Sequence, residues 1–151
     1  FTTVGVFPVN RSGGASSLGA LLHAREILQA GHVFGIQVEG TRSPDGRLYR
    51  GHVGVAKLAL ETGCPIVPTA IIGSRDLQKP GQVIPDKGTA TVVYGTPIPV
   101  DKCDPEDITH EALRELTDRV VAQIGRMSGQ EIVDEYAQTV KARMLAQRAS
   151  Q

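Results

Sequence analysis

Cysteine is scarce: Cys64 and Cys103 are the two in the chain, too few for a disulfide framework and too far apart for a metal-ligand pair. The expectation is reduced thiols in a cytoplasmic setting. No apolar run reaches 18 residues, so nothing reads as a bilayer-spanning helix, and no secretory signal pattern is present. No two glycines are separated by a single residue, which excludes a Gly-x-Gly-x-x-Gly dinucleotide loop, and no Gly-x-x-x-x-Gly-Lys phosphate loop occurs. Gly14-Ala15-Ser16-Ser17-Leu18-Gly19 misses the spacing of a nucleophile elbow. The four histidines are scattered without ligand spacing, so no metal is expected. Charge of one sign is also missing: 16 basic residues balance 16 acidic ones, which argues against nucleic acid as a partner.

What is present fits one domain. A chain of 151 residues with 40% hydrophobic and 21% charged residues can bury a real core. The balance of charge is uneven: residues 1–75 carry seven Lys/Arg and four Asp/Glu, residues 76–151 nine and twelve. The chain opens Phe1-Thr2-Thr3-Val4, without Met and inside what reads as a strand. The expectation is an α/β domain over 1–151 with a mixed central sheet flanked by helices, its N-terminal part missing, and C-terminal helices over 104–151.

Periodicity places the elements. Val4–Val9 reads as a strand ending near Pro8, followed by a Gly/Ser loop from Asn10 to Ser17. Leu18, Leu21, Leu22 and Leu28 then share a helical face, with Ser16 or Ser17 as cap and Gly31 as stop. Val33-Phe34-Gly35-Ile36 has the length and composition of a buried strand. A helix from Val53 to Thr62 closes on Gly63, its Lys57 turned to solvent or toward a phosphate. Pro65–Ile72 reads as a core strand and Thr89–Gly95 as an alternating one, across a loop-rich 73–90. Asp104-Pro105 opens a helical region carrying Leu113, Leu116, Val120, Val121 and Ile124. A last helix is expected on Ile132, Tyr136, Val140 and Met144, four apart. Both helices read as scaffold or interface.

The chemistry centres on Val38-Glu39-Gly40-Thr41-Arg42-Ser43-Pro44-Asp45-Gly46. A carboxylate, a hydroxyl and a guanidinium follow an apolar run and precede a turn, the place where ligands bind in open α/β sheets. A guanidinium fork suits phosphate or carboxylate. On spacing alone these residues are equally a surface Glu/Arg pair flanking a turn, which is worth little. Arg11, in a Gly/Ser loop before a helix, stands in a similar position: a phosphate contact or a solvated side chain.

Glu39-Gly40-Thr41-Arg42-Ser43 resembles the third sequence block of the glycerolipid acyltransferases, the lysophosphatidic acid acyltransferase family. Gln37-Val38 stand where the family usually has Phe-Pro. Gly5-Val6-Phe7-Pro8-Val9-Asn10-Arg11 resembles the second block, with Asn10 at a common Asp position, and Pro65–Ile72 the fourth. The segment Gly95-Thr96-Pro97-Ile98 is also familiar near the end of such chains.

The resemblance implies that Arg11 and Arg42 hold the acceptor phosphate. Glu39 orients Arg42 or meets a glycerol hydroxyl, and the Gly40 and Thr41 N–H groups assist. It implies acyl transfer from acyl-CoA or acyl-carrier protein, as co-substrate and with no other cofactor, to a lysophospholipid or glycerophosphate hydroxyl. The setting would be the cytoplasmic face of a membrane, on the surface or through an anchor elsewhere. The family's catalytic block is His-x-x-x-x-Asp, with His as general base and Asp orienting it. Here the residues five after each His are Leu28, Gln37, Lys57 and Glu115. No catalytic residue is therefore assigned in this chain; the pair is expected upstream, and the chain alone is expected to be inactive. A non-catalytic phosphate- or phospholipid-binding module is the alternative, and a phosphosugar enzyme sharing the loop by chance a weaker one.

Overall fold

The structure is a computed structural model and describes residues 15–78 and 82–150, without the side chains of 15–18 and 148. The expected strand Val4–Val9 and Arg11 lie outside the described residues. Among the described residues the elements follow in order: α1 Ala15–Gln29, β1 Leu48–Tyr49, α2 Gly54–Thr62, β2 Thr69–Ile72, α3 Ser74–Leu77, β3 Thr91–Tyr94, α4 His110–Ser128, β4 Ile132–Val133 and α5 Ala137–Ala149.

Helix ends follow local chemistry. Gly31, Gly63 and Gly129 all take positive φ, a conformation that costs a glycine least, and each stands where its helix stops. The Gly63 N–H reaches back to the Ala59 carbonyl at 2.8 Å, and that of Gly129 to Gly125 at 2.9 Å. At the front of α4 the Thr109 hydroxyl accepts the Ala112 N–H at 3.1 Å, a side-chain cap. Helix α4 thus begins at His110, not at Asp104-Pro105, which form a turn. Helix α1 already includes Ser16 and Ser17, so neither is its cap. Its inner face centres on buried Ala24, and Leu22 is exposed.

The main core forms where α2 and α4 meet the chain around Ile98. Ala56, Ala59, Ile98, Leu116 and Val120 are buried together, with Leu60, Ile66, Val100, Leu113 and Ile124 packed on them. Alanines on α2 let the larger side chains of α4 approach closely. A second cluster joins Tyr49 of β1 to Ala137 and Val140 of α5, with Val133 and Met144 against it. This one fastens the last helix beside the segment that follows Glu39–Arg42.

Parallel and antiparallel pairing are both present, divided between two two-stranded sheets among the described residues instead of one central sheet. Strand β1 runs parallel to β4, Leu48 against Ile132 and Tyr49 against Val133. Strand β2 pairs antiparallel with β3, from Thr69 against Tyr94 to Ile72 against Thr91. Ile132, expected in the last helix, instead stands in β4 opposite Leu48 of β1; its spacing to Tyr136 matches a helical turn only by coincidence. The core strand expected over Pro65–Ile72 shortens to four residues with Ala70 buried and Ile71 59% exposed. Only an isolated bridge, Ile66 to Ile98, precedes it. At Val33–Ile36, expected as a strand, no strand pairing is present among the described residues, and Val33 is 95% exposed. A strand is completed by a neighbour's ladder of hydrogen bonds, and among the described residues none runs along 33–36.

Candidate functional site

The stretch Val38–Arg42 is held by its floor. The His52 N–H donates to the Val38 carbonyl at 2.8 Å. Gly51 lies beneath, so tightly packed that a Cβ there would come 2.6 Å from Val38 Cγ2, 2.9 Å from Thr117 Cγ2 and 3.0 Å from Val121 Cγ2. Arg114 of α4 donates from one guanidinium nitrogen to the Gly51 carbonyl at 2.8 Å and grips Asp118 with the others. The long helix α4 therefore fixes the height of this floor.

The turn itself closes at Gly40, φ +68°, whose N–H donates to the Gln37 carbonyl at 3.0 Å. That N–H is committed to the turn and is not the free donor the sequence suggested. A Cβ at Gly40 would stand 3.0 Å from His52 Cδ2 and 3.2 Å from Gln138 Nε2, so a side chain is strained by φ and must push both neighbours aside.

Glu39 makes no ion pair with Arg42 among the described residues. Its Oε2 accepts the backbone N–H of Tyr49 at 2.8 Å, tying the turn to β1. Burial pushes its proton affinity above the ordinary carboxylate value, against the lowering effect of that N–H and of the positive Lys141. The expectation that Glu39 orients Arg42 is not what the geometry shows. Arg42 is exposed, and among the described residues no carboxylate lies within ion-pair distance of it. The Thr41 hydroxyl accepts a hydrogen bond from Lys141 Nζ at 2.6 Å.

Beyond Arg42 the chain is locked. Gly46 N–H donates to Ser43 Oγ at 2.9 Å, and the Gly46 carbonyl accepts from Gln130 Nε2 at 2.6 Å. Asp45 takes the Arg47 backbone N–H at 3.1 Å, Arg47 Nε at 2.8 Å and the hydroxyl of fully buried Tyr49 at 2.9 Å. Partial burial alone would raise the Asp45 carboxyl. The Arg47 donors, the Tyr49 hydroxyl and the Arg47 charge outweigh it and hold the group down at about 2. Burial, followed by the bond to Asp45, raises the Tyr49 phenol. This knot fixes the exit of the turn without using Arg42.

Helix α5 supplies what periodicity could not locate. The Tyr136 ring stacks on His52, centroids 4.8 Å apart at 11°, and Arg50 lies 5.6 Å over the same Tyr136 ring. Gln138 Nε2 donates to the Glu39 carbonyl at 3.3 Å and lies 3.1 Å from His52 Nε2, which accepts when its ring proton is on Nδ1. A helix read as scaffold thus contributes to the site, across some hundred positions of sequence. Lys57 is settled too: it pairs with Glu61 one turn on, at 3.2 Å, not with the turn. His110 and Glu115 are exposed on α4, as surface residues. Among the described residues no three His, Cys, Asp or Glu side chains gather as a metal site.

What the arrangement can do is bind an anion. It presents a guanidinium with no carboxylate partner among the described residues, a hydroxyl that accepts from an ammonium, and a backbone fixed from below.

The comparisons bear on the same stretch. The sequence pattern of the family described as Acyltransferase matches residues 1–72, which include Glu39–Arg42. The chain is 32% identical over 102 residues to the chloroplastic 1-acyl-sn-glycerol-3-phosphate acyltransferase BAT2 of Brassica napus, covering 67% of this chain and 30% of that protein. It is 30% identical over 103 residues to the 1-acyl-sn-glycerol-3-phosphate acyltransferase of Cocos nucifera, covering 68% and 33%. The chain therefore spans about a third of the length of these curated relatives. Among solved structures, the crystal structure of the 1-acyl-sn-glycerophosphate (LPA) acyltransferase PlsC from Thermotoga maritima superposes with a TM-score of 0.56 at 29% identity, over 72% of this chain and 44% of that one. Sequence pattern, relatives and fold agree: the chain belongs to the glycerolipid acyltransferase family.

Proposed function

We propose that the protein carrying this chain is an acyltransferase of phospholipid biosynthesis, and that this part of it holds the phosphate of the acceptor. The acceptor is lysophosphatidic acid or a related glycerophosphate, and the donor an acyl thioester, acyl-CoA or acyl-carrier protein. The acceptor hydroxyl attacks the thioester carbonyl carbon; the new C–O bond forms as C–S breaks, and the proton leaves with the thiol. The reaction takes place at the cytoplasmic face of a membrane. Among the described residues no helix is long and apolar enough to cross one, so contact is through the surface or another segment.

The observation that carries this reading is Arg42: exposed, without a carboxylate partner among the described residues, and next to a Thr41 hydroxyl already engaged by an ammonium. A guanidinium with no carboxylate partner among the described residues, on a turn whose backbone is pinned on both sides, is suited to a phosphate fork. Family membership supplies the reaction class. No His here stands five before an Asp, so this chain binds the acceptor without turning it over, its base being supplied from outside it. Calorimetric titration with short-chain lysophosphatidic acid tests the first point, and a turnover assay with acyl-CoA the second. Arg42→Ala should weaken binding by roughly 10- to 100-fold, the range of a charge-assisted hydrogen bond, with no change in melting temperature. Unaltered affinity overturns the assignment of Arg42, and turnover of acyl-CoA by the chain alone overturns the assignment of the base.

A further inference from the structure

Helix α5 lies on the Glu39–Arg42 turn by two side chains one helical turn apart. Gln138 meets the Glu39 carbonyl at 3.3 Å and Lys141 the Thr41 hydroxyl at 2.6 Å. Residues three apart share a helix face, so the first contact sets the second. The Tyr136 stack on His52 pins the helix just before both.

Lys141 is half-buried, and among the described residues no carboxylate pairs with it within ion-pair distance. Glu39, whose charge it feels, spends Oε2 on the Tyr49 N–H. An ammonium has three N–H donors, and the Thr41 hydroxyl takes one. That hydroxyl, accepting from Lys141, keeps its own hydrogen for another acceptor. Two cations with no carboxylate within ion-pair distance among the described residues thus flank Thr41, Arg42 by sequence and Lys141 by folding, the latter still within the field of Glu39. A mere anchor for α5 would need neither the charge nor the spare donors, since Gln138, Tyr136 and buried Val140 already fasten the helix.

We propose that Lys141 is a further cation of the acceptor-phosphate site, beside Arg42, and that its charge makes the site favour a dianionic phosphate monoester over a monoanionic phosphodiester. This rests on the phosphate-site reading above. A monoester near its second ionisation presents close to two charges and three free oxygens, enough for both cations and the Thr41 hydroxyl. A diester presents one charge and two free oxygens, so one cation satisfies it.

The experiment is calorimetric titration of the full chain with two ligands of equal short acyl chain, lysophosphatidic acid and lysophosphatidylcholine. Wild type should prefer the monoester by roughly tenfold or more. Lys141→Met should weaken the monoester about tenfold and leave the diester within about twofold, so that the preference collapses. Lys141→Arg should restore it, which a structural role for the aliphatic stem would not demand. If Lys141→Met loses its cooperative thermal transition, Lys141→Gln, neutral but still able to donate to Thr41, carries the same comparison. A monoester preference unchanged in the neutral variant, with Arg42→Ala still impaired, overturns this inference alone. Wild-type affinity in both Arg42→Ala and Lys141→Met, or no binding of the monoester by wild type, overturns the phosphate site as well.

Discussion

Asp45→Asn removes a charge from the knot behind Arg42 while keeping a side-chain oxygen for the Arg47 backbone N–H. The native carboxyl is held at about 2 against an ordinary 3.8. At about 1.4 kcal/mol per pH unit, that difference bounds its contribution near 2.5 kcal/mol. The Arg47 side chain is 40% exposed and that of Asp45 25%, so water screens the pair, and about 1–2 kcal/mol is expected. For a chain of this size each kcal/mol moves the melting temperature by roughly 2–4 °C. Asp45→Asn should therefore melt about 2–8 °C lower at neutral pH. The sign with pH follows from the depressed value. The folded state holds its proton less tightly than the unfolded one, so the stabilisation is complete above about pH 4 and fades as pH falls toward about 2. Urea unfolding of wild type and variant from pH 7 downward reads the difference directly and cancels the other carboxylates. A variant equal to wild type at pH 7, or a difference that stays constant to the lowest pH at which both fold, refutes the reasoning.

Two further outcomes concern the backbone. Gly51→Ala forces a methyl against Val38, Thr117 and Val121 and should cost about 1–3 kcal/mol by denaturant unfolding; a cost below half a kcal/mol would show that the floor yields. Gly40→Ala places a Cβ at φ +68° and within 3.2 Å of both His52 and Gln138. It should cost about 1–2 kcal/mol from backbone strain alone and loosen the α5 contact, measurable as faster amide exchange in the first turn of α5.

Helix α2 is readable because its signals are local. Its bonds run four residues back, its apolar positions repeat on that period, and Gly63 supplies the left-handed stop. The turn at Glu39–Gly46 is legible for the same reason, since Pro44 and Asp45-Gly46 interrupt the chain wherever they stand. The charge and hydroxyl at Thr41-Arg42, and the family resemblance they carry, are likewise properties of consecutive residues.

Strands were read less well. Val33–Ile36 has the composition of one and no ladder among the described residues, while Leu48–Tyr49 and Ile132–Val133, too short to show an alternation, pair across more than eighty positions. Pairing is decided by which segment arrives alongside, and no window of sequence contains that. The same limit hid the second half of the site. Lys141 and Gln138 lie on a last helix that read as scaffold or interface, and His52 was one of four scattered histidines. Packing of Tyr49 against Ala137 and Val140 brings that helix onto the turn. By itself, then, the sequence determined helix α2, the glycine stops at Gly31, Gly63 and Gly129, and the residue types at Glu39–Arg42, all set by neighbours a few bonds apart. Tertiary packing alone decided that Glu39 serves Tyr49 and that Lys141 meets Thr41, because those contacts join residues the chain keeps far apart until the core closes.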